Sequence, residues 1–455
     1  MSSPDQISVD VAVIGAGLAG LSAARAVRGA GRDAVVLEAR DRVGGRTLNE
    51  PIGNGKVVEI GGQWVGPTQH RAVALIEELG LETFPTYGEG RNLFERRGKL
   101  RSYRGTIPRV SPLALAETGL VMARINRMAR SLDPAQPWAA KRAAQWDSQT
   151  FATWMRRNVR TPTARDLIRL VIWAVGAVEP EDISLLHFLF YIRSAGSLEV
   201  LVDTEGGAQD SRVVGGTQLI SIRMAEQLGD SVLLQAPVRR IEHGDGGVTV
   251  HSDAGQVRAR QAIVAVPPVL AGRIDYDPPL ASVRDGLTQR MAQGSVVKCM
   301  AVYPEPFWRE EGLSGQVTSA DGPVSVAYDN SPPDGSPGVL LGFFEGRAAR
   351  QASALPQDQR RELMLGCLRR WFGERAGSPE HYVDRAWPNE QWSRGCYGCF
   401  MPPGAWVENG PALRRPIGPI HWAGAETATV WNGYMDGAIS SGERAAGAAL
   451  EALGG

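Results

Sequence analysis

The sequence predicts a mixed α/β fold in which two domains are interleaved along the chain, and three observations support this prediction. A valine-rich run at 9–14, a glycine-rich turn, a helical pattern and a second apolar run at 34–38 form a βαβ unit. A strand, a turn and a long helical pattern recur at 420–452. Apolar runs typical of strands dominate residues 295–345. We therefore expect the two ends of the chain to share one domain and the middle to add a second.

Length and composition limit the classes of protein to which the chain can belong. Its 455 residues are too many for one ordinary domain. Hydrophobic residues make up 43% and charged residues 22%, as in a soluble globular protein. The 49 basic and 49 acidic side chains give a formal net charge of zero, so no charge excess indicates a nucleic acid or an anionic membrane. We expect neither as a partner.

Cellular location and metal binding are also indicated by the sequence. The N-terminus MSSPDQISVD is polar, and the longest apolar runs are far shorter than the roughly 18 residues of a membrane span. Four cysteines are too few for a disulfide scaffold in this chain. The six histidines are scattered, with no HxxxH or HExxH pair. These features predict a cytoplasmic protein without a metal site.

The first turn has the glycine pattern of a Rossmann-like domain. Gly15, Gly17 and Gly20 form GxGxxG between the first strand and the first helix. In this pattern the first glycine permits the tight turn, the second lets the backbone approach a pyrophosphate, and the third packs the helix on the strand. Glu38 ends the second strand, where a carboxylate accepts hydrogen bonds from a ribose. A glycine-rich turn without a ligand is the alternative interpretation.

The loop that follows Glu38 indicates which dinucleotide binds. In EARDRVGGR, Arg40, Gly45 and Arg46 come directly after the ribose carboxylate. Such a loop can wrap an extended pyrophosphate and a flavin, and Arg46 offers a bidentate fork. We therefore expect FAD and not NAD; a solvated charged loop is the alternative.

The middle of the chain predicts helices first and then a sheet. Residues 111–130 and 138–172 have apolar residues at helical spacing. Another strand, QAIVAVPP, ends at the prolines 267–268. The runs SVVKCMAVY, VSVAY and VLLGFF are then expected to form a sheet that walls a cavity.

This order predicts two discontinuous domains. A Rossmann-like FAD-binding domain is expected to comprise residues 1–85, 212–296 and 388–455. A substrate-binding domain with a mixed sheet and helices is expected to comprise residues 86–211 and 297–387.

Two further patterns bear on chemistry. Lys298 lies within an apolar strand, where a lysine costs free energy unless it has a function or a partner. Cys396 and Cys399 form a CxxC, but zinc would need a second pair, and Cys299 and Cys367 do not supply one by their spacing. A dithiol switch stays open.

Several strings in one order resemble the flavin-dependent monoamine oxidases over nearly the whole chain. They are GAGLAG, EARDRVGGR, EIGGQWVGPTQ, VVGGTQ, GSVVKC, EPFWR, GCY, AGAETA and NGYMDGA. The resemblance implies an FAD-dependent enzyme that transfers a hydride from the α-carbon of a primary monoamine to flavin N5. The expected products are an aldehyde, ammonia and hydrogen peroxide, with oxygen as the second substrate.

The resemblance also implies residue roles. FAD contacts are implied for Gly15, Gly17, Ala19, Gly20, Glu38, Arg40, Gly45, Arg46, Gly62, Gln63, Val238, Trp387, Cys396, Gly424, Glu426 and Met435. The substrate walls implied are Trp64, Val175, Leu201, Gln209, Val326 and Phe343. Lys298, Tyr397 and Tyr434 are implied as catalytic.

Some of these roles are more specific. Cys396 is expected to bind FAD covalently through a thioether, and Lys298 to hold a water near flavin N5 and assist reoxidation. Tyr397 and Tyr434 are expected to form an aromatic pair beside the flavin. Glu426 is expected at the pyrophosphate or ribityl chain. Further expectations are the Met435 backbone at the flavin pyrimidine edge, Val238 at the adenine, and Trp387 beside Lys298 or the flavin.

Other functions remain open. The same fold could pass electrons to a protein or quinone as an amine dehydrogenase, or oxidise a diamine or secondary amine. A diamine would need a carboxylate for its distal ammonium, and GPVSVAYD offers none before Asp329. An amino acid would need an arginine that we cannot place. A non-catalytic flavin-fold binding protein and a homodimer are also open.

Overall fold

The computed structural model describes residues 7–105, 108 and 110–454 and confirms the mixed α/β fold with a Rossmann-like domain. The N-terminal stretch 1–6, part of the region in which we expect no secretory signal, lies outside the described residues. The first sheet has eight strands. In spatial order, seven of them are Val232–Leu233, Ala34–Leu37, Ile7–Ile14, Gly255–Val264, Gly247–Ser252, Val238–Gly244 and Asp275–Asp277, and Ile420–Trp422 pairs with Gly255–Val264.

The centre of this sheet is parallel and covered on both faces. The strand Ile7–Ile14 pairs in parallel with Ala34–Leu37 and with Gly255–Val264. From Val11 to Ile14 the side chains on both faces of this strand are buried, which explains why these residues are apolar without polar alternation. The helices that pack with this sheet are Leu18–Gly29, His70–Glu78, Gln218–Leu228 and Met435–Ala452. A Cβ at Gly20 would lie 1.9 Å from the Gly15 carbonyl oxygen, so the third glycine permits close packing of helix and strand.

The second sheet has seven strands and supplies one wall of the site. In spatial order they are His381–Ala386, Val296–Tyr303, Gly338–Glu345, Val324–Asp329, Leu313–Ser319, Arg91–Arg96 and Lys99–Tyr103. Neighbours are antiparallel, except that Leu313–Ser319 pairs in parallel with Arg91–Arg96. The runs predicted as cavity-walling strands thus lie side by side.

A helical layer packs beside this sheet. Its helices are Pro112–Arg130, Ala143–Asp147, Phe151–Asn158, Pro162–Gly176, Leu185–Ala195 and Leu198–Val202. The stretch 138–172, predicted as helical, is broken at 140–142, 148–150 and 159–161, and new helices begin after Thr150 and Thr161. Each threonine hydroxyl accepts a hydrogen bond from a backbone N–H three residues later, and Pro162 follows the second cap directly.

The remaining strands are short and form small sheets. Strand pairs are Asn49–Gly53 with Lys56–Glu59 and Ala292–Gln293 with Cys399–Phe400, and Trp64–Val65, Ser211–Val213 and Thr83–Pro85 form a three-stranded sheet. The remaining α-helices are Pro268–Ala271, Ser282–Arg290, Phe307–Glu310, Gly346–Ser353, Gln357–Phe372 and Ala405–Asn409. Within residues 7–105, 108 and 110–454, no helix combines the length and apolarity needed to cross a membrane. The domain boundaries stay a prediction.

Candidate active site

One cavity of about 380 Å³ is lined by residues of both sheets and of the helical layer. The predicted residues that line it are Gly15, Gly17, Ala19, Glu38, Arg40, Gly45, Arg46, Gly62, Gln63, Trp64, Val175, Gln209, Val238, Lys298, Phe343, Trp387, Cys396, Tyr397, Gly424, Tyr434 and Met435. Residues that the sequence places more than 400 positions apart therefore meet at one site. The predicted residues outside the lining are Gly20, Leu201, Val326 and Glu426.

Two helices begin at this cavity. Gly17 is the N-cap of Leu18–Gly29, no side chain caps that N-terminus, and a Cβ at Gly17 would meet nothing within 4 Å. Tyr434 is the N-cap of Met435–Ala452, again without a side-chain cap. Uncapped N–H groups and the positive dipole end of a helix suit a pyrophosphate and an electron-accepting flavin edge. The residues present therefore fit FAD.

Glu38 is held in place at the dinucleotide end. Its carboxylate is buried and accepts hydrogen bonds from Ala16 N at 2.8 Å and Arg40 N at 2.9 Å. Arg40 Nη2 donates to Ser393 Oγ at 2.8 Å. Val238 lines the same cavity. The backbone thus orients the carboxylate that we expect at the ribose.

Arg46, which is partly buried, and Glu426, which is buried, form an ion pair. Arg46 Nη1 lies 2.6 Å from Glu426 Oε1, and Nη2 lies 3.0 Å from Oε2. Arg46 Nη1 also donates to the Tyr397 carbonyl at 2.7 Å. Glu426 accepts a further hydrogen bond from Cys399 N at 3.2 Å. The guanidinium group of Arg46, predicted to bind the cofactor, thus binds the Glu426 carboxylate. Arg46 lines the cavity, whereas Glu426 does not.

Lys298 is buried and hydrogen-bonded. Only 3% of the residue is exposed, and Nζ donates to the Gly61 carbonyl at 2.7 Å and to Gln63 Oε1. Burial lowers the pKa of Lys298 to about 7, although the Glu59 charge acts in the opposite direction. Trp387 Nε1 donates to the Ile60 carbonyl at 3.1 Å, so Trp387 supports the same turn.

Both predicted tyrosines line the cavity, each with its own aromatic partner. Tyr434 stacks on Tyr191 with ring centroids 6.0 Å apart, and Tyr397 meets Phe343 edge to face at 6.1 Å. The Tyr191 hydroxyl donates to the Val175 carbonyl at 2.8 Å. Sequence reasoning missed Tyr191, although a tyrosine within the apolar helix LLHFLFYIRSA is a usable signal.

Sequence reasoning also missed Glu345, an acid at the end of an apolar strand. Its carboxylate is buried and accepts hydrogen bonds from the Tyr397 hydroxyl at 3.1 Å and from the Ser325 hydroxyl. Its one indication in the sequence is a charged residue at the end of the apolar run VLLGFFE. Lys298 was identified in the same way, as a charged residue in an apolar strand.

The two cysteines of the CxxC have different surroundings. Cys396 lines the cavity, and burial raises its pKa to about 11. Cys399 is outside this lining, and its Sγ lies 2.6 Å from Gln293 Oε1. Only Cys396 therefore faces the space expected to hold the flavin.

The part of the cavity expected to bind the substrate is mainly apolar, but two of its polar atoms have no hydrogen-bond partner in the protein. Trp64, Val175, Gln209 and Phe343 line it, and Lys298 Nζ lies 5.8 Å from the Trp64 ring centroid. Trp64 Nε1 and Gln209 Oε1 are buried without a hydrogen-bond partner.

Two residues predicted to line the substrate pocket, Val326 and Leu201, lie behind residues that do line it. Val326 pairs with Phe343 on the neighbouring strand, and the Leu201 carbonyl accepts from Gln209 Nε2 at 3.1 Å. Both side chains are buried in apolar clusters, where they support Phe343 and the helical layer. They thus back the predicted walls without lining the cavity themselves.

Comparisons with known proteins agree with this site. The chain matches the flavin-containing amine oxidoreductase family over residues 18–450. It is 44% identical over 439 residues to a Mycobacterium tuberculosis protein named "Putative flavin-containing monoamine oxidase", covering 96% of both chains. It is 38% identical over 458 residues to an L-amino acid dehydrogenase of Synechocystis, covering 98% of this chain and 96% of that protein.

A solved structure agrees as well. Wild-type putrescine oxidase with bound putrescine superposes with a TM-score of 0.94 at 37% identity, covering 98% of this chain and 100% of that one. Fold, cavity and relatives point to the same chemistry. The chain belongs to the flavin-containing amine oxidoreductases and is an FAD-dependent amine oxidase.

Proposed function

We propose that this enzyme converts primary monoamines to aldehydes, ammonia and hydrogen peroxide, with oxygen as electron acceptor. The observation that supports this best is the placement of Tyr397, Tyr434 and Lys298 on one cavity whose substrate walls are apolar or aromatic. Bound FAD supplies the acceptor, at N5, for the hydride from the amine α-carbon. The residues of the chain bind and orient the amine and exclude water.

The tyrosines and Lys298 have separate tasks in this proposal. The rings of Tyr397 and Tyr434 offer electron-rich faces to the amine nitrogen, an attraction of about 0.5–2 kcal/mol for residual positive charge. The dry surroundings favour the neutral amine. Lys298, which is held by Gly61 and Gln63, places a positive charge or a bound water where oxygen reacts.

The charges near the site support a monoamine as substrate. Among the described residues, Glu38 is the only acid that lines the cavity, and it lies at the dinucleotide turn. Asp329 is bound by Arg309 and by Trp308 Nε1, so it is not free to receive a distal ammonium. Arg212, beside Trp64 in the sheet, is paired with Glu59, which argues against capture of a substrate carboxylate.

Covalent attachment of FAD through a thioether to Cys396 is part of the proposal. Its support is the position of Cys396 in the cavity lining and the engagement of Cys399 with Gln293. We further propose a cytoplasmic homodimer. Leu113 and Leu120, which are 70% and 73% exposed and seven residues apart on Pro112–Arg130, offer an apolar helix face for contact between copies.

An amine panel tests the function. Purified enzyme is mixed with aromatic and aliphatic monoamines, putrescine and L-amino acids, and peroxide release is measured in air. Parallel assays without oxygen use a quinone dye as acceptor, because the Synechocystis relative makes a dehydrogenase the second candidate. We expect peroxide from monoamines. Turnover with dye but not with oxygen would establish the dehydrogenase instead.

A further inference from the structure

Glu345 lies on the cavity face of the second sheet. In the pairing of Val296–Tyr303 with Gly338–Glu345, Glu345 is opposite Val296, and Phe343 is opposite Lys298. Side chains two residues apart on a strand point to the same face. Val296, Lys298 and Phe343 all line the cavity. Glu345 therefore lies on the same face of the sheet, outside the cavity lining itself, with the Tyr397 hydroxyl hydrogen-bonded to it.

Glu345 is buried without a cation. The residue is 3% exposed, and its carboxylate is bonded to two hydroxyl groups, from Tyr397 at 3.1 Å and from Ser325. No arginine or lysine among the described residues forms an ion pair with it. A buried carboxylate without a cation costs free energy, so its retention beside a cavity tyrosine calls for a function.

We propose that ionised Glu345 is a positioning residue that acts through Tyr397: it fixes the plane of the tyrosine ring and makes that ring more electron-rich toward the amine. The inference rests on the proposed function and assigns a further residue to the same site. A phenol that donates to a carboxylate gains negative charge, and the ring face then attracts a cation more strongly. Glu345 itself need not touch the substrate.

The charged and titratable groups near Glu345 define what a pH profile can report. Burial raises the pKa of Glu345 to about 7, and hydrogen bonds from Ser325 and Tyr397 limit the rise. Tyr328 faces it from the neighbouring strand, Lys298 lies two register pairs away, and Cys396 adjoins Tyr397. On the following segment, Glu179 accepts a hydrogen bond from the backbone N–H of Arg347. Lys298 also has a pKa of about 7, so a pH profile alone cannot separate the two groups.

A double-mutant cycle separates them. Binding of benzyltrimethylammonium, a cation that has no N–H to lose, is measured by calorimetry with Glu345→Gln, Tyr397→Phe and the double variant. We expect Glu345→Gln to weaken binding about fivefold at pH 8, where the carboxylate is ionised. In the Tyr397→Phe background the same change should have less than a twofold effect, because the hydroxyl that connects them is gone.

Kinetics supply the second readout. The limiting rate of anaerobic flavin reduction by an amine should fall in the wild type as pH decreases through about 7, and this limb should disappear in Glu345→Gln. Ser325→Ala keeps the carboxylate but removes a hydrogen bond that lowers its pKa, so the limb should move to higher pH. Glu179→Gln is the matched control: its carboxylate is buried and bonded to Trp173 Nε1 and Arg347 N, and not to Tyr397.

The outcomes are distinct. Equal losses from Glu345→Gln with and without the Tyr397 hydroxyl, or equal losses from Glu179→Gln, would overturn the inference. If Glu345→Gln does not fold, an unmoved pH limb in Ser325→Ala would also overturn it. Absence of amine oxidation by the wild type would reject the proposed function, whereas the cation-binding cycle would still report on Glu345.

Discussion

Lys298 and Trp387 donate hydrogen bonds to consecutive carbonyl groups of one turn. Lys298 Nζ reaches the Gly61 carbonyl at 2.7 Å, and Trp387 Nε1 reaches the Ile60 carbonyl at 3.1 Å. The two side chains therefore hold the segment that presents Gln63 to Lys298. Two acceptors, the Gly61 carbonyl and Gln63 Oε1, thus keep the buried Lys298 amino group in one orientation.

Lys298 should control reaction with oxygen in a pH-dependent way. Its pKa is lowered by burial to about 7, so its charge is present below that pH and lost above it. The rate of flavin reoxidation by oxygen should therefore fall as pH rises through about 7. Lys298→Met should remove this dependence and slow reoxidation more than reduction by amine, measured by rapid mixing. Trp387→Phe, which keeps the charge, is the control. Equal losses in both half-reactions would indicate a structural lysine.

The flavin should be covalently bound at one cysteine. Cys396 lines the cavity, whereas Cys399 Sγ is engaged with Gln293. Acid-precipitated wild type and Cys399→Ala should retain flavin absorbance, and Cys396→Ala should lose it to the supernatant. Release of the flavin from the wild type would contradict the thioether.

The two site tyrosines should respond differently to loss of their hydroxyl groups. Alanine at Tyr397 or Tyr434 should lower the rate of amine-dependent flavin reduction at least about tenfold, or roughly 1.4 kcal/mol. Tyr434→Phe should be mild because the ring remains. Tyr397→Phe should be more harmful, since it leaves Glu345 without one of its two donors. Flavin content should stay near normal. Wild-type rates of flavin reduction in both alanine variants would contradict a role for the two tyrosines in binding the amine.

The Arg46–Glu426 pair should stabilise the fold. Burial alone would raise the pKa of Glu426, but the Arg46 charge and hydrogen bonds lower it below its usual range. The pair therefore contributes stability above the usual glutamate pKa of about 4.3 and loses it as pH falls. Arg46→Ala should cost about 3–5 kcal/mol in the free energy of unfolding at pH 7, because a buried carboxylate is left unpaired.

A second variant controls for that effect. Adding Glu426→Ala to Arg46→Ala should recover part of the lost stability, since the unpaired charge is removed. Denaturant unfolding of Arg46→Ala, Glu426→Ala and the double variant measures this. Additive losses would show that the two residues act independently.

The substrate end should favour amines with a distal hydroxyl group. Trp64 Nε1 can donate and Gln209 Oε1 can accept, and both are buried without a protein partner. A phenolic amine should therefore have a KM several-fold below that of the same amine without the hydroxyl. Gln209→Leu should reduce this difference, whereas Val326→Ala, outside the cavity lining, should not. Equal KM values in the wild type would contradict the assignment.

Local patterns were sufficient to predict the fold and the family. The glycines of the first turn, the apolar strands and the ordered motifs are each contained in a short segment. The conformation of such a segment can be inferred from its residue types alone. Lys298 and Cys396 were found in the same way, and the structure places both on the cavity. The stretch 138–172 shows the limit, because two threonine caps interrupt one apolar pattern.

The sequence by itself determined a Rossmann-like flavin enzyme and predicted a lysine and two tyrosines for its site, because each feature lies in contiguous residues. Only the tertiary structure decided which groups pair there. Arg46 and Glu426 are 380 positions apart, and Tyr397 and Glu345 are 52 apart. Such contacts depend on how two sheets and a helical layer pack. Burial then shifts the pKa values of Lys298 and Glu345, and burial is a property of the folded chain and not of any segment of it.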